Sequence, residues 1–246
     1  MIIAIDAGNT RIKWGVFDGE KWISLGVLST SNALQLTDVS VAWPERAPVV
    51  ACNVAGPSVE TAIDASLSPR APILWLRSST EACGVWNSYE SPLTLGSDRW
   101  AALIGARKLT RGPCLVVCAG TATTIDWLDA SGVFRGGLIL PGLELMYASL
   151  ANNTVQLPLV SERHPCREPR NTQDAIVNGC LQAQIGAIEK MFARMHSNPA
   201  AICLMTGGAA KFLAPHLEIP SRVEENMILD GLVHYNATVF QQALSA

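Results

Sequence analysis

The chain has 246 residues, of which 49% are apolar and 16% charged, and its net charge is -3. That length suits one large domain or two small ones, and the apolar share supports a sizeable core and excludes a disordered chain. Lysines and arginines are scattered rather than massed, which excludes an extended nucleic-acid footprint, and no apolar run reaches the roughly 18 residues needed to span a bilayer.

The chain opens with Met1-Ile2-Ile3-Ala4-Ile5, an apolar run, then Asp6-Ala7-Gly8-Asn9-Thr10, then Arg11-Ile12-Lys13-Trp14-Gly15-Val16. This predicts a buried strand, a tight polar turn and a second strand. Gly8 lets the backbone approach a bound group, and Asn9, Thr10 and the turn amides can donate to an anion. Asp6 is a candidate ligand for a divalent cation, through water. The same residues also suit an ordinary hairpin turn. The N-terminus enters the strand directly, with no basic region or signal-peptide core, so no secretory leader is expected.

Pro44, Pro48, Pro57, Pro69 and Pro72 punctuate a loop-rich first half. A cluster from Tyr89 to Arg99 ends in Gly96-Ser97-Asp98-Arg99. Ser97 is a candidate cap for a helix through Arg107, with Trp100, Leu103, Ile104 and Leu109 as its apolar stripe. Asp98 then falls in the first turn, where the helix dipole favours an anion.

The opening pattern returns in the second half. Leu115-Val116-Val117-Cys118 predicts a strand, Ala119-Gly120-Thr121-Ala122-Thr123-Thr124 a small polar turn, and Ile125-Asp126-Trp127-Leu128 a strand again. Two such units suggest a duplicated domain with its turns facing each other across a cleft. A third turn, Thr206-Gly207-Gly208-Ala209, follows the strand-like Ile202-Cys203-Leu204-Met205. Leu157 to Asn171 reads as an irregular excursion. Thr172 is a candidate cap for a long helix with Ile176, Val177, Cys180, Leu181, Ile185, Ile188, Met191 and Phe192 at helical spacing. A last helix is expected from about Glu225 to Leu244, with Leu229, Leu232, Val233 and Phe240 inward.

Seven cysteines, with no Cys-x-x-Cys pair, read as reduced core thiols of a cytoplasmic protein. Cys114 and Cys118 flank a strand-like run without metal-site character. His164, His196, His216 and His234 show no ligand spacing and suit surface or cap roles.

Taken together, these segments resemble the type III pantothenate kinases, of the acetate and sugar kinase/heat-shock ATPase/actin superfamily. Asp6-Ala7-Gly8-Asn9-Thr10-Arg11-Ile12-Lys13 is similar to the family's first phosphate motif and Gly120-Thr121-Ala122-Thr123-Thr124-Ile125-Asp126 to its second. Thr206-Gly207-Gly208 is similar to the adenosine-side motif, Gly96-Ser97-Asp98-Arg99 to the Gly-x-Asp-Arg substrate motif, and Asn171-Thr172 to the substrate-contacting Asn-Thr. The resemblance covers essentially the whole chain.

It implies an α/β fold of two duplicated ribonuclease-H-like lobes, as in actin-like ATPases, with mixed sheets flanked by helices. The lobes are expected at 1–112 and 113–246, with the C-terminal helix able to pack back on the first. It implies ATP-dependent phosphorylation of the primary hydroxyl of pantothenate, the first step toward coenzyme A, in a cytoplasmic homodimer without nucleic-acid or membrane partners. Asp98 becomes the general base. Tyr89, Gly96, Ser97 and Arg99 line the pantothenate pocket with it, and Thr172 reaches substrate across the dimer interface. Asp6 to Lys13 and Thr121 hold ATP, with Asp6 serving its Mg2+. Relatives often carry Asp at the position of Cys118, where it is associated with a monovalent cation. A thiol is a poor ligand for potassium or ammonium, so that cation is in doubt here. Two other readings are weaker: another kinase or phosphatase of the superfamily would share the three turns but not the Gly96-Ser97-Asp98-Arg99 cluster with Tyr89 upstream, and a non-catalytic transcription accessory protein would not need Asp6, Lys13 and Asp98.

Overall fold

The alternation of the first residues decides where the chemistry lies. In a computed structural model that describes residues 1–68, 72–160, 164–195 and 198–245, Ile2–Ala7 form β1 and Arg11–Phe17 form β2, an antiparallel pair. Ile3, Ile5 and Ala7 enter one apolar core, so Ala4 and Asp6 fall on the opposite face of the sheet. Trp22–Ser29 continue as β3, followed by α1 (Leu36–Ser40), β4 (Val49–Asn53), α2 (Pro57–Leu67) and β5 (Ile73–Trp75). The sheet order is β3-β2-β1-β4-β5, with β1, β4 and β5 parallel. Leu36, Ile63 and Leu67 from α1 and α2 close the Ile3/Ile5 face. Truncating a fully buried residue such as Ile5 to Ala would cost about 2–5 kcal/mol.

A short hairpin follows, β6 (Glu81–Ala82) and β7 (Val85–Asn87), and then α3 (Ser97–Leu109). Next come β8 (Cys114–Ala119), β9 (Ala122–Leu128), β10 (Val133–Pro141), α4 (Leu143–Asn153), α5 (Thr172–Phe192), β11 (Ile202–Thr206), α6 (Ala210–Leu213) and β12 (Ser221–Val223), all in the second unit but for the first two residues of β10. The chain ends in α7 (Met227–Ser245). By compactness, the first unit is Met1–Arg111 with Gly132–Phe134 and Asn226–Ala246; the second is Gly112–Ser131 with Arg135–Glu225. In the first unit α7 packs on α3, β1 and β4, on the Asp6 side of the sheet.

The second unit repeats the first. Its strand order, β10-β9-β8-β11-β12, has the same topology as β3-β2-β1-β4-β5, and β8, β11 and β12 are again parallel. Leu115, Val117 and Ala119 meet Ile176, Val177, Cys180, Leu181, Ile185 and Ile188 of α5 in one core. The fold is therefore α/β and duplicated, with mixed sheets flanked by helices. Among the described residues, no helix is long and apolar enough to cross a membrane.

Several local expectations change. The N-cap of α3 is Gly96, not Ser97, which instead donates its hydroxyl to the Asn53 carbonyl at 3.1 Å. The N-cap of α5 is Asn171, whose side chain accepts from the Asp174 amide, and Thr172 is the first helical residue. In each case the residue one step earlier has the extended backbone that a cap requires. Thr123 and Thr124 lie within β9, and Cys114 and Cys118 lie within β8. Leu109 and Phe240 are 37% and 64% exposed, because each sits near the end of its helix. Pro69 and His196 lie outside the described residues, as do 161–163 of the irregular excursion.

Candidate active site

Register brings the first site residues together. Asp6 pairs with Lys13 across β1–β2 and with Cys52 across β1–β4. The three side chains therefore form a row on the face that α3 and α7 cover. Asp6 is only 7% exposed. Cys52, fully buried, donates its thiol to Asp6 Oδ1 at 3.5 Å. Burial, reinforced by the Asp98 charge, pushes the Asp6 carboxyl up to about 6, while Lys13 and the Cys52 thiol oppose that rise.

The turn after β1 is braced from within. Gly8 N–H donates to the Arg11 carbonyl at 3.1 Å, so this amide serves the turn rather than an anion. Thr30, which the sequence did not single out, donates its hydroxyl to the Gly8 carbonyl at 2.6 Å. Asn9, Thr10 and Arg11 are left exposed at the tip.

Asp98 stands in the first turn of α3, and Ser97 ties that turn to the end of β4. Its Oδ1 accepts from the Arg99 amide at 2.8 Å. Burial raises its pKa, against the pull of Arg99. A Cβ at Gly96 would lie 2.7 Å from Asp98 Oδ1, so a side chain there would push the carboxylate from this position. Arg99 is buried and donates to the Tyr89 hydroxyl at 3.0 Å, with its guanidinium over the Tyr89 ring. The first unit thus gathers Asp6, Lys13, Tyr89, Gly96, Asp98 and Arg99, with Cys52 and Phe134 as partners that sequence reasoning missed. Only the β1–β4 register could have flagged Cys52, and a single strand does not reveal its parallel neighbour.

The second unit carries the remaining candidates. Thr121 sits in the β8–β9 turn, where Gly120 N–H donates to the Ala122 carbonyl at 3.0 Å. Gly142 N–H donates to the Thr121 carbonyl at 2.9 Å, and a Cβ at Gly142 would lie 2.2 Å from the Gly120 carbonyl oxygen. Cys118 pairs with Thr124 and Thr206 across its two neighbouring strands. Thr172 is exposed at the start of α5 and lines an open apolar groove of about 420 Å³ with Met146, Leu150, Leu157, Ile176 and Gly179.

A sequence model described as type III pantothenate kinase matches residues 2–194. The type III pantothenate kinase of Aromatoleum aromaticum is 53% identical over 94% of this chain and 96% of its own length. The chain belongs to the type III pantothenate kinase family. The Dechloromonas aromatica member is 46% identical over 95% of this chain and 98% of its own. The crystal structure of MreB5 of Spiroplasma citri bound to AMPPNP superimposes with a TM-score of 0.56, at 10% identity, over 99% of this chain and 98% of that one. At that identity the likeness shows the fold alone, the actin-like ATPase fold of a type III pantothenate kinase. Kinases of this family use ATP, which carries Mg2+. The donor set fits that ion. One buried carboxylate is a hard oxygen ligand for an ion that keeps waters and phosphate oxygens. Among the described residues no three-membered cluster of His, Cys, Asp and Glu offers a dedicated cage.

Proposed function

We propose that this chain transfers the γ-phosphoryl group of ATP to the primary hydroxyl of pantothenate. The observation that carries this reading is the pair of carboxylates, Asp6 and Asp98, held on one face of the first unit beside Lys13 and Arg99. Phosphoryl transfer needs positioning and charge neutralisation more than covalent help. Asp6 holds Mg2+, and the ion supplies charge neutralisation at the phosphates. Lys13 and the exposed Asn9–Thr10 tip grip ATP.

Asp98 accepts the hydroxyl proton. Its raised pKa makes the ionised form a stronger base than an ordinary aspartate, which suits proton abstraction near neutral pH. Arg99 pairs with the pantothenate carboxylate, the group for which a planar guanidinium is best matched. Tyr89, Gly96 and Ser97 shape the pocket around it.

The active form is a homodimer through the α4–α5 face, where the apolar groove lies open and Leu145 of α4 is exposed. Thr172, on that face, reaches the partner's pantothenate. Cys118 offers neither charge nor a hard oxygen, so dependence on potassium or ammonium is weak or absent. The seven cysteines are thiols, which supports a cytoplasmic enzyme. The test is ATP consumption by the purified protein with magnesium, with and without pantothenate. The reading requires turnover that depends on pantothenate.

A further inference from the structure

Thr30 meets the turn after β1 with two groups at once. Its hydroxyl donates to the Gly8 carbonyl at 2.6 Å, and its amide donates to the Thr10 carbonyl at 3.1 Å. These two carbonyls bracket Asn9. Gly8 N–H is taken by the Arg11 carbonyl. Asn9 is exposed, and no hydrogen bond among the described residues uses its amide.

Thr30 is itself well anchored. It follows β3 directly and opens a short 3-10 helix, Thr30–Gln35, whose Ala33 is buried with Ile3, Ile5 and Ile12 in the core of the first unit. A β-branched side chain has few χ1 rotamers, so the hydroxyl keeps one direction. The brace thus runs from that core to an exposed tip.

The consequence lies in the Gly8–Asn9 peptide. A trans peptide is planar, with its C=O and N–H pointing in opposite directions. With the Gly8 carbonyl drawn to the Thr30 hydroxyl, the N–H of the same peptide, that of Asn9, points away from Thr30. Gly8 has no Cβ to restrict rotation of this peptide, so the bond from Thr30 fixes its orientation. An outward-pointing turn amide is a donor for an anionic oxygen.

We propose that Thr30 is a positioning residue for the nucleotide, which fixes the Gly8 and Thr10 carbonyls and so aims the Asn9 amide at the phosphates of ATP. This rests on the reading of the Asn9–Thr10 tip given above. Thr30 does not touch ATP; it acts through the Gly8–Asn9 peptide. Binding of pantothenate, which falls to Asp98 and its neighbours, does not depend on it.

The experiment compares wild type, Thr30→Val, Thr30→Ala, Thr30→Ser and Lys13→Met, with thermal melts and with the KM values for ATP and for pantothenate measured separately. Thr30→Val keeps the shape of the side chain and the backbone bond to Thr10 but lacks the hydroxyl. Thr30→Val and Thr30→Ala are expected to raise the ATP KM by roughly tenfold, as loss of a hydrogen bond to a charged group does, and to leave the pantothenate KM unchanged. Thr30→Ser restores the hydroxyl and returns the ATP KM to near the wild-type value. A hydroxyl that served only stability would lower the Tm of Thr30→Val and leave both KM values unchanged. That result, equal rises in both KM values, no rescue by Thr30→Ser, or failure of both Thr30→Val and Thr30→Ala to fold would overturn the proposal. Lys13→Met separates the two levels. If it keeps the wild-type ATP KM, the reading of this turn as the grip on ATP is wrong and the role of Thr30 falls with it. If it raises the ATP KM while Thr30→Val does not, the role given to Thr30 alone is wrong.

Discussion

Cys52 and Asp6 face each other across the parallel pairing of β1 and β4, and the Cys52 thiol donates to Asp6 Oδ1 at 3.5 Å. With Lys13 on its other side, the carboxylate is held between a positive charge and a buried donor. That placement readies it for a cation and costs stability when no cation is bound.

Asp6→Asn is expected to stabilise the fold while abolishing turnover. Its carboxyl is raised from an ordinary 3.8 to about 6, so the folded state binds the proton more tightly than the unfolded state. Its contribution to stability is therefore fully present at acid pH and is lost as pH rises through about 6. At pH 8 the charged, buried carboxylate costs about 1–3 kcal/mol. Thermal melts without nucleotide should give a higher Tm for Asp6→Asn at pH 8, with the gain shrinking toward pH 5. An unchanged or lower Tm at pH 8 contradicts this account of Asp6.

Asp98→Asn should keep the fold and lower kcat by roughly 10²-fold or more, as loss of a general base does. Because burial raises the Asp98 pKa, wild-type kcat should fall on the acid side, with the fall beginning at higher pH than an ordinary aspartate would give. The residual rate of the variant should lack that acid limb. Near-normal turnover in Asp98→Asn would leave it a positioning residue.

Much of this site was legible in the sequence because its residues lie in short, local patterns. The strand–turn–strand at Ile2 to Val16 follows from alternation, and the helix after Gly96 from its apolar stripe. The duplication showed only as an echo between Gly8 and Gly120, yet the strand orders of the two units match. What stayed hidden depends on long-range pairing. Nothing local says that Cys52 lies beside Asp6, that Thr30 braces Gly8, or that Phe134 underlies Arg99. The caps were misplaced by one residue because Ser97 and Thr172 are favoured cap types, whereas Gly96 and Asn171 have the extended backbone and, at Asn171, the side-chain bond.

Potassium should matter little. Cys118 stands between Thr124 and Thr206 on neighbouring strands, and a thiol does not replace a carboxylate as ligand to a hard monovalent ion. Turnover should change less than about twofold as potassium replaces a bulky organic cation at constant ionic strength, since thiol sulfur gives such an ion little affinity. Steep saturable activation would show that other oxygens hold the ion despite the substitution.

The dimer is testable at Gly179, on the rim of the groove that Thr172 lines. A Cβ there meets nothing within 4 Å, so Gly179→Arg fits a single chain but not a paired α4–α5 face. Sedimentation is expected to show a wild-type dimer and a folded Gly179→Arg monomer with poor use of pantothenate. A fully active wild-type monomer at assay concentration contradicts the shared site.

The most direct measurement is where the phosphoryl group goes. Pantothenate offers a primary hydroxyl, a secondary hydroxyl and a carboxylate, and phosphorus–proton coupling in the product distinguishes them. With Asp98 as base and Arg99 on the carboxylate, the account predicts one product, phosphorylated on the primary hydroxyl, formed in proportion to ATP consumed. Phosphate on the carboxylate, or ATP consumption with no phosphorylated pantothenate, would contradict it.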